Sequence, residues 1–119
     1  KGDCSDGAFK SAGGHVHSNT PIVHGFLVDG ANDAGDLPNL YVHADGAATV
    51  ELYSTLVSAG ARDGRPALRD GDGAALVIHA NPDDYTTQPI GGAGERMPCC
   101  SIRRRTPAIP RADCPVRSR

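Results

Sequence analysis

Apolar residues in this chain fall into short runs separated by long stretches of Gly, Pro, Asp and Asn. Residues 1–39 carry little alternation and read as one long loop. A loop of that length without its own secondary structure is either functional or disordered, and its histidines argue for function. Residues 40–43 (Leu-Tyr-Val-His) predict a short strand, Ala44-Asp45-Gly46-Ala47 a turn, and residues 48–57 a second strand, together a hairpin. Residues 58–73 hold Asp63-Gly64, Pro66, Asp70-Gly71 and Asp72-Gly73 and form another loop. Ala74-Ala75-Leu76-Val77-Ile78-His79 is the clearest buried strand. A second turn-rich loop spans 81–95, and a last strand runs from Arg96 to Ile102. Three or four strands with large loops predict an antiparallel all-β fragment.

Composition supports that class. The 119 residues suffice for one small domain. Fifteen Gly and nine Pro suit tightly turned loops between strands better than a helical bundle. No apolar run approaches the ~20 residues that span a bilayer, so no membrane partner is expected. Lys1 is neither an initiator Met nor the start of a signal-peptide pattern, so the beginning reads as a processed or truncated end.

Charge divides the chain. Residues 1–99 carry six basic and thirteen acidic residues, whereas residues 100–119 carry six Arg and one Asp. The expected organisation is therefore a domain over 1–102 followed by an Arg/Pro-rich, disordered tail over 103–119. An Arg run can mark nucleic-acid binding. Here it reads as a solvated appendix, with no nucleic acid as partner. The four cysteines (Cys4, Cys99, Cys100, Cys114) contain no CxxC pair, which argues against a zinc ribbon. Cys4 and Cys99 stand at the two ends of the acidic body; a bridge between them would suit an oxidising compartment.

Five histidines lie at 15, 17, 24, 43 and 79. His15, His24, Asp33 and Asp36 offer two imidazoles and two carboxylates within 22 residues, a donor set that suits tetrahedral zinc. The bland alternative is a set of solvated loop histidines. His79 ends an apolar strand, with Asp83 or Asp84 as the expected partner of its imidazole. Arg96 follows Gly91-Gly92-Ala93-Gly94, a stretch that would let it approach a pocket.

These residues carry a resemblance. Phe9-Lys10-Ser11-Ala12-Gly13-Gly14-His15, His24-Gly25, Gly35-Asp36-Leu37-Pro38-Asn39-Leu40, Ala75-Leu76-Val77-Ile78-His79-Ala80, Asp83-Asp84-Tyr85, Gly91-Gly92-Ala93-Gly94-Glu95-Arg96 and Cys99 follow one another as in bacterial copper/zinc superoxide dismutases. The match covers residues 2 to 99. It implies a Greek-key β-barrel or sandwich, incomplete here, with long metal-binding and electrostatic loops. It implies His15 as the imidazole shared by copper and zinc, His24 and Asp36 as zinc ligands, and Asp33 where the family has a third zinc histidine. It also implies His79 as a copper ligand and Asp83 as a carboxylate hydrogen-bonding histidines of both metal sites. Arg96 would guide the superoxide anion, and His15 would deliver a proton. Cys4 and Cys99 would form a disulfide. The implied cofactors are Zn2+ and Cu2+/Cu+, the substrate is superoxide, a homodimer is allowed, and the compartment is periplasmic or extracellular.

The sequence departs from that pattern at both ends. The family places two further copper histidines, as His-x-His, on a strand before the disulfide cysteine, and Cys4 is preceded by only three residues. His15-Val16-His17 has that spacing but lies at the bridging position, so His17 reads as a bystander. After Cys99 the Arg/Pro-rich run resembles translation of GC-rich DNA in a shifted frame. Two alternatives to dismutation follow: a catalytically silent zinc-binding module, or a fragment that does not fold stably alone.

Overall fold

The computed structural model describes residues 1–102. Two strands carry the regular structure: β1 (Ala74–His79) and β2 (Arg96–Ile102), paired antiparallel. Both occupy the segments that the apolar pattern singles out. Ala74 pairs with Ile102, Ala75 with Ser101, Leu76 with Cys100 and Val77 with Cys99. The register then slips by one residue and brings His79 opposite Arg96. Pro98 sits inside that slip. Its missing N–H cannot serve a regular ladder, and a bulge accommodates it. The irregularity thus sets the two chemically interesting ends of the hairpin side by side, because directly opposed residues share a face.

Beyond His79 the hairpin continues as single bonds. Ala80 N–H donates to the Glu95 carbonyl and Asn81 N–H to the Ala93 carbonyl, both at 2.9 Å. The 80–95 loop is therefore anchored at its root. No α-helix occurs among the described residues; the one helical element is a 3-10 turn, Lys10–Ala12. Asp6 builds that turn by accepting the N–H groups of Ala8, Lys10 and Ser11. The bonds from Ser11 and Lys10 hold its carboxyl at about 2, well below the ordinary carboxylate value.

The expected hairpin over 40–57 is corrected. Its turn exists: His43 N–H donates to the Ala47 carbonyl and Gly46 N–H to the His43 carbonyl, both at 2.9 Å. The flanking segments form no ladder among the described residues. Tyr41 is 93% exposed and Tyr53 89%. Apolar alternation marks these segments as strand-like, yet a strand is stabilised only when a partner satisfies its backbone groups and buries one face.

Small residues form the buried apolar set: Ala12, Ala34, Ala74, Ala93, Cys99 and Cys100. None can contribute the ~1.5–3 kcal/mol of a buried Leu or Phe. Covalent and polar ties take a larger share instead. Cys4 and Cys99 form a disulfide across a separation of 95 residues. Closing a loop of that size is worth roughly 4–5 kcal/mol through the unfolded chain's entropy. Gly2 N–H donates to the Asp72 carbonyl, and the Ser101 hydroxyl donates to the Gly2 carbonyl, both at 2.8 Å. The first loop is thereby tied to β2 and to the turn that leads into β1. The Arg/Pro-rich tail expected over 103–119 lies outside the described residues.

Candidate metal centre

The first loop folds back at Val23, whose carbonyl accepts the N–H groups of Asn32 and Asp33. This return brings His24 beside Asp36, and His24, Asp33 and Asp36 are all buried. His15 joins them from the earlier arm. Its Nδ1 lies 2.9 Å from Asp33 Oδ2 and 3.1 Å from Asp36 Oδ1. His24 Nδ1 lies 2.8 Å from the Asp36 carboxylate. Ligand atoms of His15, Asp33 and Asp36 all fall within 4.8 Å of one another. His15, Asp33 and Asp36 thus form one cluster of potential ligands, which His24 adjoins through Asp36.

The chemistry of these donors fits zinc. Ligands about 2.0 Å from one zinc ion stand about 3.3 Å apart, close to the spacings observed here. Each carboxylate has one oxygen held by the backbone: Gly35 N–H donates to Asp33 Oδ1 and Gly25 N–H to Asp36 Oδ2, both at 3.0 Å. Asp33 and Asp36 are each only 6% exposed. Two carboxylates so close and so buried repel unless a cation or a protonated imidazole lies between them.

His24 is gripped at both ring nitrogens. Nε2 lies 3.1 Å from Asp83 Oδ1, across 59 residues of chain. Burial disfavours the charged ring, but hydrogen bonds and charge from Asp36 and Asp83 outweigh it and raise the His24 pKa above 6.5. Asp83 Oδ1 also accepts the Tyr85 N–H at 2.6 Å. Asp83 therefore touches one histidine among the described residues. The expectation that Asp83 or Asp84 partners His79 is corrected. His79 Nδ1 donates to the Gly94 carbonyl at 3.0 Å, which leaves Nε2 as the nitrogen open to a metal. Asp84 instead caps a turn by accepting from Thr86 and Thr87; those bonds, from Thr87 foremost, lower its pKa.

Arg96 is fixed as a fork. One terminal nitrogen donates to the Phe9 carbonyl at 2.8 Å and the other to the Gly13 carbonyl at 2.7 Å. A cleft of about 880 Å³ is lined by His15, His24, Asp33, His79 and Arg96. The guanidinium thus stands at the same opening as the imidazoles of His15, His24 and His79. His17 has no polar contact within the described residues, in keeping with a bystander.

Two residues without an expected role grip the centre. Gln88 Oε1 accepts the His24 N–H at 2.9 Å, and its Nε2 donates to the His24 carbonyl at 2.8 Å. Asn39 does the same for Asp83: Nδ2 donates to its carbonyl and Oδ1 accepts its N–H, both at 2.9 Å. Asn39 lies in the Gly35–Leu40 motif, a signal that could have singled it out. Gln88 carries no such signal.

Comparison with known proteins identifies the family and the fold. The model of the copper/zinc superoxide dismutase family matches residues 1–102. The chain is 60% identical over 103 residues to a Cu-Zn superoxide dismutase of Caulobacter vibrioides, covering 87% of this chain and 59% of that protein. It is 38% identical over 103 residues to a Cu-Zn superoxide dismutase of Aquifex aeolicus, again covering 59% of the relative. The chain thus spans about three-fifths of the length of these relatives. A crystal structure of a variant of the superoxide dismutase-like protein of Bacillus subtilis superposes with a TM-score of 0.74 at 41% identity, over 83% of this chain and 64% of that one. That likeness places the all-β hairpin and its loops within the dismutase fold. With the family's model matching through Ile102 and its fold reproduced around the clustered imidazoles, this chain belongs to the copper/zinc superoxide dismutase family.

Proposed function

We propose that this chain carries the metal centre of a copper/zinc superoxide dismutase. Zinc is held by His15, His24, Asp33 and Asp36, and copper by His15 and His79. The reaction converts two superoxide ions and two protons into dioxygen and hydrogen peroxide. The observation that carries the reading is the position of His15. Its Nδ1 faces Asp33 and Asp36, while its Nε2 has no hydrogen-bond partner among the described residues. One imidazole can therefore serve two metals through its two nitrogens.

Copper, when bound, supplies the one-electron couple, and zinc supplies fixed charge without redox chemistry. The remaining steps fall to the chain. The Arg96 guanidinium draws the anion into the cleft and orients it. Its two backbone acceptors hold the fork in place, so little reorganisation accompanies binding. Whenever His15 Nε2 is not serving copper it would take up a proton from solvent and then release it to the reduced product. Asp83 keeps the His24 proton on Nε2, leaving Nδ1 as the ligating atom. The Cys4–Cys99 disulfide supports a periplasmic or extracellular setting.

A second reading, a zinc-binding module without dismutase activity, is favoured by the unequal donor sets. On the zinc side His15, Asp33 and Asp36 cluster and His24 adjoins them through Asp36, whereas the copper side offers His15 and His79 among the described residues. The purified chain loaded with both metals separates the two. One equivalent each of zinc and copper with rapid superoxide consumption supports dismutation. Zinc alone with no consumption supports the module. No stoichiometric zinc, or zinc retained unchanged in His15→Ala, overturns both.

A further inference from the structure

We propose that Gln88 and Asn39 are positioning residues that lock the two loops of the metal centre together by crossed amide clamps; this rests on the zinc reading of His15, His24, Asp33 and Asp36. Each side-chain amide closes a two-bond ring on the backbone of a single residue, with all four bonds between 2.8 and 2.9 Å. The clamps run in opposite directions. Gln88, in the 80–95 loop, holds His24 of the first loop. Asn39, in the first loop, holds Asp83 of the 80–95 loop. The two residues so held are the pair joined through His24 Nε2 and Asp83 Oδ1.

A side-chain amide presents a donor and an acceptor in one plane, as a peptide group does. Each clamp therefore replaces the β-ladder that these irregular loops lack. Contacts between the loops around the clamps are close. Gly25 adopts φ 110°, and a Cβ there would overlap the Tyr85 carbonyl oxygen and stand 2.7 Å from its carbon. Leu27 N–H donates to the same carbonyl at 3.2 Å. The Tyr85 hydroxyl in turn accepts the Asn39 N–H at 2.8 Å. The His24–Asp83 contact is thus set from both sides by groups that touch no metal. Groups outside a ligand shell that fix ligand orientation typically control about 10–100-fold in affinity.

The test uses the full chain, Co2+ as a spectroscopic probe of the zinc site, and amide hydrogen exchange on the metal-free protein. Gln88→Ala and Asn39→Ala should each weaken Co2+ binding about 10-fold and alter the intensity of its visible bands. His24 exchange should speed up in Gln88→Ala and Asp83 exchange in Asn39→Ala, while the amides of Leu76 and Val77 in β1 keep their rates. Gln88→Glu, which still accepts the His24 N–H but cannot donate to its carbonyl, should fall between wild type and Gln88→Ala; it decides the matter should the alanine variant unfold. Unchanged cobalt affinity and spectrum in these variants, with the wild type binding one equivalent, overturn the clamp and leave the metal centre standing. A wild-type chain that binds no cobalt overturns the zinc reading itself, and the positioning role with it.

Discussion

Gly91 offers the most direct test of how the loops hold the His24–Asp83 contact. It adopts φ 59°, and a Cβ there would overlap Asp83 Oδ1, lie 2.5 Å from Asp83 Cγ and 3.0 Å from the Asp84 nitrogen. The left-handed backbone alone costs an alanine about 1–2 kcal/mol. The larger cost comes from the carboxylate, which must leave its place. It then loses the Tyr85 N–H at 2.6 Å and His24 Nε2 at 3.1 Å. Bonds to a charged group are worth about 1.5–3 kcal/mol each, so Gly91→Ala should destabilise the fold by about 4 kcal/mol or more. In a domain of this size that lowers the melting temperature by roughly 15 °C. The decisive measurement is a double-mutant cycle by thermal or urea unfolding. In an Asp83→Ala background the carboxylate is already gone, and Gly91→Ala should cost only the backbone share of about 1–2 kcal/mol. Equal costs in the two backgrounds would refute the steric link between Gly91 and Asp83.

Other outcomes follow from the same geometry. The His24 pKa is raised in the folded chain, so its stabilising share is full below the unfolded value of 6.5 and is lost as pH rises through the higher folded value; chelator-treated protein should therefore melt higher at about pH 6 than at about pH 8 from this group. Zinc competes with that proton, so zinc affinity measured by competition titration should fall as pH drops through the raised value. Arg96→Lys should lower superoxide consumption more than zinc content, because an ammonium cannot reach the Phe9 and Gly13 carbonyls as a fork; stopped-flow decay beside metal analysis checks this. Asp33→Asn should weaken zinc binding at least 10-fold by removing one of two buried negative charges, as isothermal titration would read.

The parts of this protein that were legible in its sequence share a local signature. β1 and β2 coincide with their expected bounds because apolar runs between turn residues mark buried strands wherever their partner lies. The segments 40–57 show the limit of that logic. Their pattern states which residues would alternate, but not whether another strand stands beside them. At the candidate centre, residue types and spacing suggested His15, His24, Asp33 and Asp36 as a set. The roles of His79, Asp83 and Arg96 came from the resemblance. The partner of His79 was misplaced because Asp83 and Asp84 are near in sequence, while the Gly94 carbonyl is brought near by the hairpin. The grips of Gln88 and Asn39 span 64 and 44 residues and leave no periodic trace.

The bond between Cys4 and Cys99 closes a circuit that includes the Arg96 guanidinium. Cys99 lies three positions after Arg96 on β2, and Cys4 lies at the head of the segment whose Phe9 and Gly13 carbonyls receive the guanidinium. Cutting that link with a thiol would remove the segment's covalent tie to β2 and leave the acceptors of the arginine fork held by hydrogen bonds alone. On the role proposed for Arg96, oxidation state outside the chain would then govern anion capture inside it: thiol reduction should loosen the fork while the contacts among His15, His24, Asp33 and Asp36 stay in place.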